Sequence, residues 1–182
     1  TPMIDIAYQG FGDNIEEDAA AVRLFAESGM SFFVSSSFSK SFSLYGERVG
    51  ALSMVTQNRD ESARVLSQIK RVIRTNYSNP PTHGATVVSA VLNSPELRAM
   101  WETELAEMRT RIRDMRLSMV RQLAEKGAKQ DFGFVAKQRG MFSYSGLTAA
   151  QVERLRVEFG VYAIGTGRIC AAALNHSNLD HV

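Results

Sequence analysis

The sequence predicts an α/β protein in which a mainly parallel sheet with its helices is followed by a small α+β layer. Three patterns predict it. Apolar runs of strand length alternate with helical stripes through the first half, one helical stripe is far longer than the rest, and short strand patterns flank a single helix after it. With 182 residues, of which 45% are hydrophobic, the chain has the core fraction of a globular protein, enough for one good core or two small ones.

Residues 3–7 read as a short buried strand. Asn14 with Glu17 three positions later makes a helix start for residues 15–28, which Gly29 ends. Residues 31–36 form a second strand and 48–56 a third. The third is expected to be antiparallel, because the turn before it is too short for a crossover helix. Val65, Leu66, Ile69, Val72 and Ile73 give residues 60–76 one apolar stripe. Asn79-Pro80-Pro81 cannot continue that helix, and a shorter one follows over 83–92. Ser94-Pro95-Glu96 supplies a cap, a first-turn proline and an early acid. The stripe Leu97, Trp101, Leu105, Met108, Ile112, Met115, Met119 and Leu123 then runs to Gly127, a helix roughly 45 to 50 Å long at 1.5 Å per residue. A helix so long often bridges two domains, so the boundary is set near Glu107, dividing 1–107 from 108–182. The remainder reads as strand (132–137), strand (141–145), helix (149–159) and strand (167–172).

A net charge of +2, from 21 basic and 19 acidic residues, gives no electrostatic case for nucleic acid or membrane partners. Arg109, Arg111, Arg113, Arg116 and Arg121 of the long helix are interleaved with acids and read as a solvated face, and its methionines as core. The single cysteine, Cys170, excludes an internal disulfide framework, fits a reducing compartment and reads as a small buried residue. His83, His176 and His181 lack metal-ligand spacing, so no metal site is expected. There is no signal-like N-terminus and no apolar run of transmembrane length, and the working assignment is cytoplasmic. The start at Thr1-Pro2 reads as a fragment boundary.

The chemistry concentrates around Lys40. An apolar strand runs into the hydroxyl-rich turn Ser35-Ser36-Ser37-Phe38-Ser39-Lys40-Ser41, and Arg48 follows eight residues after the lysine. Hydroxyls and a guanidinium are good phosphate ligands, and a lysine amine beside them suits imine chemistry when it is deprotonated. Spacing alone also allows a surface loop with a solvated lysine.

With its flanks this stretch closely resembles the pyridoxal-phosphate lysine segment of the aspartate and aromatic-amino-acid aminotransferases, of fold type I. The resemblance continues through Asp5-Ile6-Ala7-Tyr8-Gln9-Gly10-Phe11, Arg74-Thr75-Asn76-Tyr77-Ser78-Asn79-Pro80-Pro81, Gly140-Met141-Phe142-Ser143-Tyr144 and Thr166-Gly167-Arg168, in family order and at family spacing. It spans this chain but only the C-terminal half of the family's protein. It implies the C-terminal part of the cofactor-binding large domain over 1–107 and the small C-terminal domain over 108–182.

The resemblance also implies roles. Lys40 would hold pyridoxal 5'-phosphate as an imine and shuttle the substrate proton. Asp5 would keep the pyridine nitrogen protonated so that the ring acts as an electron sink. Tyr8 would bond the phenolic oxygen, while Ser37, Ser39 and Arg48 would hold the phosphate. Arg168 would fork the substrate α-carboxylate beside the aromatic Phe142, and Arg74 would reach across a homodimer to a side-chain carboxylate. Ser41-Phe42-Ser43-Leu44-Tyr45-Gly46 and Met141-Phe142-Ser143-Tyr144 look closer to the aromatic enzymes. The implied activity is transamination between an aromatic or dicarboxylic amino acid (tyrosine, phenylalanine, aspartate) and a 2-oxo acid such as 2-oxoglutarate. The alternatives are an aspartate aminotransferase proper, or an inactive fragment serving in folding or assembly. The family's glycine and hydroxyl loop, ring-stacking aromatic and asparagine lie upstream, so an open sheet edge is expected here.

Overall fold

The computed structural model describes residues 1–182, which divide into two compact units, Thr1–Leu105 and Ala106–Val182. In the first, β1 (Met3–Asp5), β2 (Phe32–Ser37) and β3 (Gly50–Val55) form a sheet in the order β1-β2-β3. β1 lies parallel to β2, with Asp5 opposite Ser35, and β3 runs antiparallel to β2, with Gly50 opposite Ser37. The antiparallel third strand is the arrangement that the short connection demands. Both β1 and β3 are edges of this sheet.

Side-chain alternation decides what β2 buries: Phe32 and Val34 share one face and are 0% and 6% exposed, and the Phe32 ring meets Phe25 edge-on at 5.5 Å between centroids. The helix expected over 15–28 begins later, as α1 (Ala20–Glu27), after a single 3₁₀ turn at Glu17–Ala19. Asn14 does cap this segment, its Oδ1 accepting from Glu17 N at 2.8 Å. The delay has a local cause in Asp18, whose carboxylate accepts from the backbone N–H groups of Gly10, Gly12 and Asp13, each at 2.8 Å. The turn is thereby tied to the loop after β1. The helices α2 (Arg59–Asn76) and α3 (His83–Asn93) follow. On α2 Leu66 and Val72 are 50% and 63% exposed. A periodic stripe reports which face is apolar, not whether anything covers it.

The long helix is α4 (Pro95–Glu125), capped by Ser94, whose Oγ accepts from Leu97 N. Its first part closes the first unit: Leu105 is fully buried, with Cδ2 so near Gly10 that a Cβ there would sit 2.5 Å away. Its remainder belongs to the second unit, where Met115, Met119, Val135, Leu174 and Leu179 form the core and Ile169 and Phe132 pack on it. No helix is long and apolar enough to cross a membrane.

Three expectations are corrected here. Residues 132–137 are no strand but carry α5 (Gly133–Ala136), because Asp131 Oδ1 accepts from Gly133 N at 2.7 Å and starts a turn instead. The second unit's sheet is the short antiparallel pair β4 (Phe142–Tyr144) and β5 (Arg168–Cys170) around α6 (Ala149–Phe159), which has a capping box at Thr148 and Gln151. Cys170 is exposed rather than buried, since it shares a face with Arg168 while Ile169 between them points to the core. Nor is the arginine face of α4 wholly solvated. Arg116 is 3% exposed, and Arg111 donates to the carbonyl oxygens of Leu174 and Ala172 at 2.9 and 3.1 Å.

Leu105→Ala is expected to destabilise the first unit by about 3 kcal/mol, the cost of an uncollapsed cavity at a fully buried leucine. Urea unfolding followed by the fluorescence of the chain's one tryptophan, Trp101, measures this; a loss below about 1 kcal/mol would mean that the helix does not close this core.

Candidate functional site

Parallel pairing carries β1 and β2 in the same direction, so their C-terminal ends, Asp5 and Ser37, lie at one edge of the sheet, where ligands of α/β proteins bind. Asp5 is exposed and its Oδ1 accepts from Ala7 N at 3.0 Å, which turns the chain back toward Tyr8. Beyond Ser37 the chain folds into successive tight turns, with Phe42 N donating to Phe38 O and Ser43 N to Lys40 O. Lys40 is thus presented from a compact loop. Its Nζ stands over the Tyr8 ring, 4.4 Å from the centroid, a cation–π contact that joins the two loops.

Ser37 and Ser39 sit at the root of this turn. Ser37 Oγ accepts from Ser39 N at 3.2 Å, and Ser39 is buried. Phe38 N donates to Val49 O, bringing the residue after Arg48 against the start of the turn. Arg48 is exposed in the left-handed region at φ 53°, costly for a side chain that has a Cβ, and its Nη1 donates to Tyr45 O at 3.0 Å. The structure therefore gathers Asp5, Tyr8, Ser37, Ser39, Lys40 and Arg48 at one end of one sheet. Lys40, Arg48 and Asp5 make no ion pair. The set holds one carboxylate, one phenol, two hydroxyls and two cations, which fits a phosphorylated, ring-nitrogen-bearing carbonyl compound such as pyridoxal phosphate.

Arg74 stands apart. It ends α2, exposed, with Nη1 donating to Ser78 Oγ at 2.5 Å.

In the second unit Arg168 opens β5 after Gly167, whose φ of +83° and clearance of only 2.6 Å from a built Cβ to Leu147 O exclude any side chain there. Ser145 donates to Gly167 O from both N and Oγ, at 2.9 and 2.7 Å, which fixes the backbone before Arg168. Phe142 pairs with Cys170, so Arg168 is its diagonal neighbour, and the guanidinium carbon lies 4.8 Å from the Phe142 ring centroid. The ring holds the arginine without occupying its N–H groups. Arg168 makes no ion pair and no side-chain hydrogen bond.

Sequence reasoning missed three supports of these groups. Trp101 Nε1 donates to Ser41 O at 2.6 Å and its ring stacks on Phe42 at 4.6 Å, pinning the lysine turn beside a cavity of about 230 Å³. A tryptophan on a buried stripe needs a partner for its N–H, and that was the available signal. Asp18, which holds the loop after β1, was not singled out by the sequence reading. Arg116 lies four residues after Ile112 and three before Met119, inside the stripe, which marks it as core-facing.

The family model of the class I and II aminotransferases matches residues 1–182. An aspartate aminotransferase of Pseudomonas aeruginosa is 81% identical over 181 residues, covering 100% of this chain and 46% of that relative. The aromatic-amino-acid aminotransferase of Escherichia coli K12 is 54% identical over 181 residues, again covering 100% of this chain and 46% of the relative. Among solved structures, that of an aromatic-amino-acid aminotransferase from Burkholderia pseudomallei covalently bound to pyridoxal phosphate superposes with a TM-score of 0.97 at 70% identity, over 99% of this chain and 45% of the other. The chain spans about half the length of the relatives it matches.

Trp101→Phe keeps the stack on Phe42 but removes the donor to Ser41 O, so about 1 kcal/mol of stability should be lost with the freed carbonyl. Faster amide exchange confined to Phe42 and Ser43 is the expected signature, and unchanged protection there would show the turn to be held by other contacts.

Proposed function

The chain belongs to the class I and II aminotransferases, and from that premise we propose that it forms the lysine- and carboxylate-binding part of a pyridoxal-phosphate-dependent transaminase. The proposed reaction exchanges the amino group between an aromatic or dicarboxylic amino acid, such as tyrosine, phenylalanine or aspartate, and a 2-oxo acid such as 2-oxoglutarate. The observation that carries the reading is the gathering of Asp5, Tyr8, Ser37, Ser39, Lys40 and Arg48 at the C-terminal edge of the β1–β2 pair, with both cations free of carboxylate partners. Residues 1–107 are assigned to the cofactor-binding domain and 108–182 to the small C-terminal domain. The proposed setting is a cytoplasmic homodimer, in keeping with a single cysteine.

Pyridoxal phosphate, when bound, supplies an electron sink for the pair left at the substrate's Cα. The chain's own residues do the rest. Lys40 Nζ would take the proton from the substrate's Cα and deliver it to the cofactor's C4′, acting as general base and then as general acid. Asp5 would accept a hydrogen bond from the ring nitrogen and so keep it protonated, and Tyr8 would donate its O–H to the phenolic oxygen. Ser37, Ser39 and Arg48 would hold the phosphate, to which a guanidinium gives charge-assisted bonds. Arg168 receives the substrate α-carboxylate in a two-pronged fork, with Phe142 keeping the fork's plane oriented. Arg74 pairs with the second carboxylate of a dicarboxylic substrate.

In the complete polypeptide, borohydride treatment in the presence of pyridoxal phosphate should fix one covalent adduct, mapped to Lys40, and Lys40→Ala should abolish it. Adducts scattered over other lysines would sink the assignment. Arg168→Leu is expected to lower kcat/KM about 100-fold or more for every amino donor, the loss of a charge-assisted bidentate contact, whereas Arg74→Leu should penalise aspartate far more than phenylalanine.

A further inference from the structure

We propose that Arg116, buried in α4, is a positioning residue for the substrate-carboxylate clamp: by gripping Gly140 and Ser143 it fixes the β4 strand whose Phe142 ring orients Arg168. The proposal rests on Arg168 being the α-carboxylate ligand, as inferred above.

A guanidinium at 3% exposure is expensive to bury, and its neighbours on the helix, Met115 and Met119, show what an apolar solution at this position looks like. Arg116 is retained with two neutral partners. Nε donates to Ser143 Oγ at 3.0 Å and Nη2 donates to Gly140 O. These acceptors lie three residues apart on one segment, one at a turn where φ is +82° and the other inside β4. A single rigid fork therefore spans the turn and the strand, which a lysine ammonium, as one point of attachment, cannot do.

Strand geometry carries the effect across the sheet. Neighbouring residues point to opposite faces, so Ser143, 2% exposed, faces α4 while Phe142 faces the other way. Phe142 is paired with Cys170 in register, and its ring supports the Arg168 guanidinium at 4.8 Å. Held from one side, the strand presents a fixed platform on the other. A carboxylate holding Arg168 would have consumed the fork that a substrate needs; a ring held in place does not. Burial draws the Arg116 guanidinium below its usual pKa, but an arginine stays charged at neutral pH and keeps its donors.

The test compares wild type with Arg116→Met, Arg116→Lys, Ser143→Ala and Arg168→Leu in the complete polypeptide. Arg116→Met is expected to raise KM for amino acid and 2-oxo acid alike about 10-fold with kcat changed less than about 2-fold, and Ser143→Ala to raise it about 3-fold. Arg116→Lys should fall between them. Calorimetric titration with 3-phenylpropionate, which carries only a carboxylate, should weaken in the same order, with affinities referred to the folded fraction. A merely structural arginine would lower the melting temperature and leave these affinities alone. If Arg168→Leu loses the carboxylate while Arg116→Met and Ser143→Ala bind it as wild type does, the positioning role is overturned and the clamp stands. If Arg168→Leu binds normally, the clamp reading falls and this proposal with it. Should Arg116→Met fail to fold, Ser143→Ala decides by itself.

Discussion

The parallel pairing of β1 with β2 is the constraint on which the lysine end of the molecule depends. Because the two strands share a direction, a residue at the end of one and a turn at the end of the other meet without any long-range coincidence. Met3 opposite Phe33 sets the register, and Asp5 opposite Ser35 is its last pair. A slip by one residue would send Phe32 and Val34 to the wrong face, so the buried apolar pair that stabilises the sheet also fixes where Asp5, Ser37 and Lys40 emerge.

Around that edge the chain uses supports that leave the reactive groups open. The loop after β1 is held by the carboxylate of Asp18, the lysine turn by Trp101 and Phe42, and Arg48 by a carbonyl. Lys40 and Arg168 each rest on an aromatic ring. A cation resting on a ring is attracted to it and still keeps all its N–H groups available. For groups proposed to receive a phosphate or a carboxylate, that is the useful choice.

The second unit inverts the usual economy of a core. Met115, Met119, Val135, Leu174 and Leu179 are apolar, and Arg116 sits among the same helix's buried positions with its charge met by neutral oxygens. The long helix thus contributes an aromatic donor, Trp101, to one unit and a guanidinium, Arg116, to the other. Each fixes a turn or strand that carries a proposed site residue, and neither is itself placed on substrate or cofactor.

The sequence by itself determined most of the strand and helix succession, including α6 to the residue, because the periods of two and 3.6 record which face is apolar. It also offered the proposed site residues as a set, since the motifs around Lys40, Asp5 and Arg168 carry the family resemblance. It misread residues 132–137, where a single Asp131 side chain diverts an alternating run into a helical turn, and Cys170, whose face is set by the neighbour that enters the core. Only the tertiary structure decided that Arg116 is buried, that Trp101 secures the lysine turn and that Phe142 lies under Arg168. Those facts depend on which segment packs against which, and pairings between residues 26 to 60 positions apart leave no periodic trace along the chain.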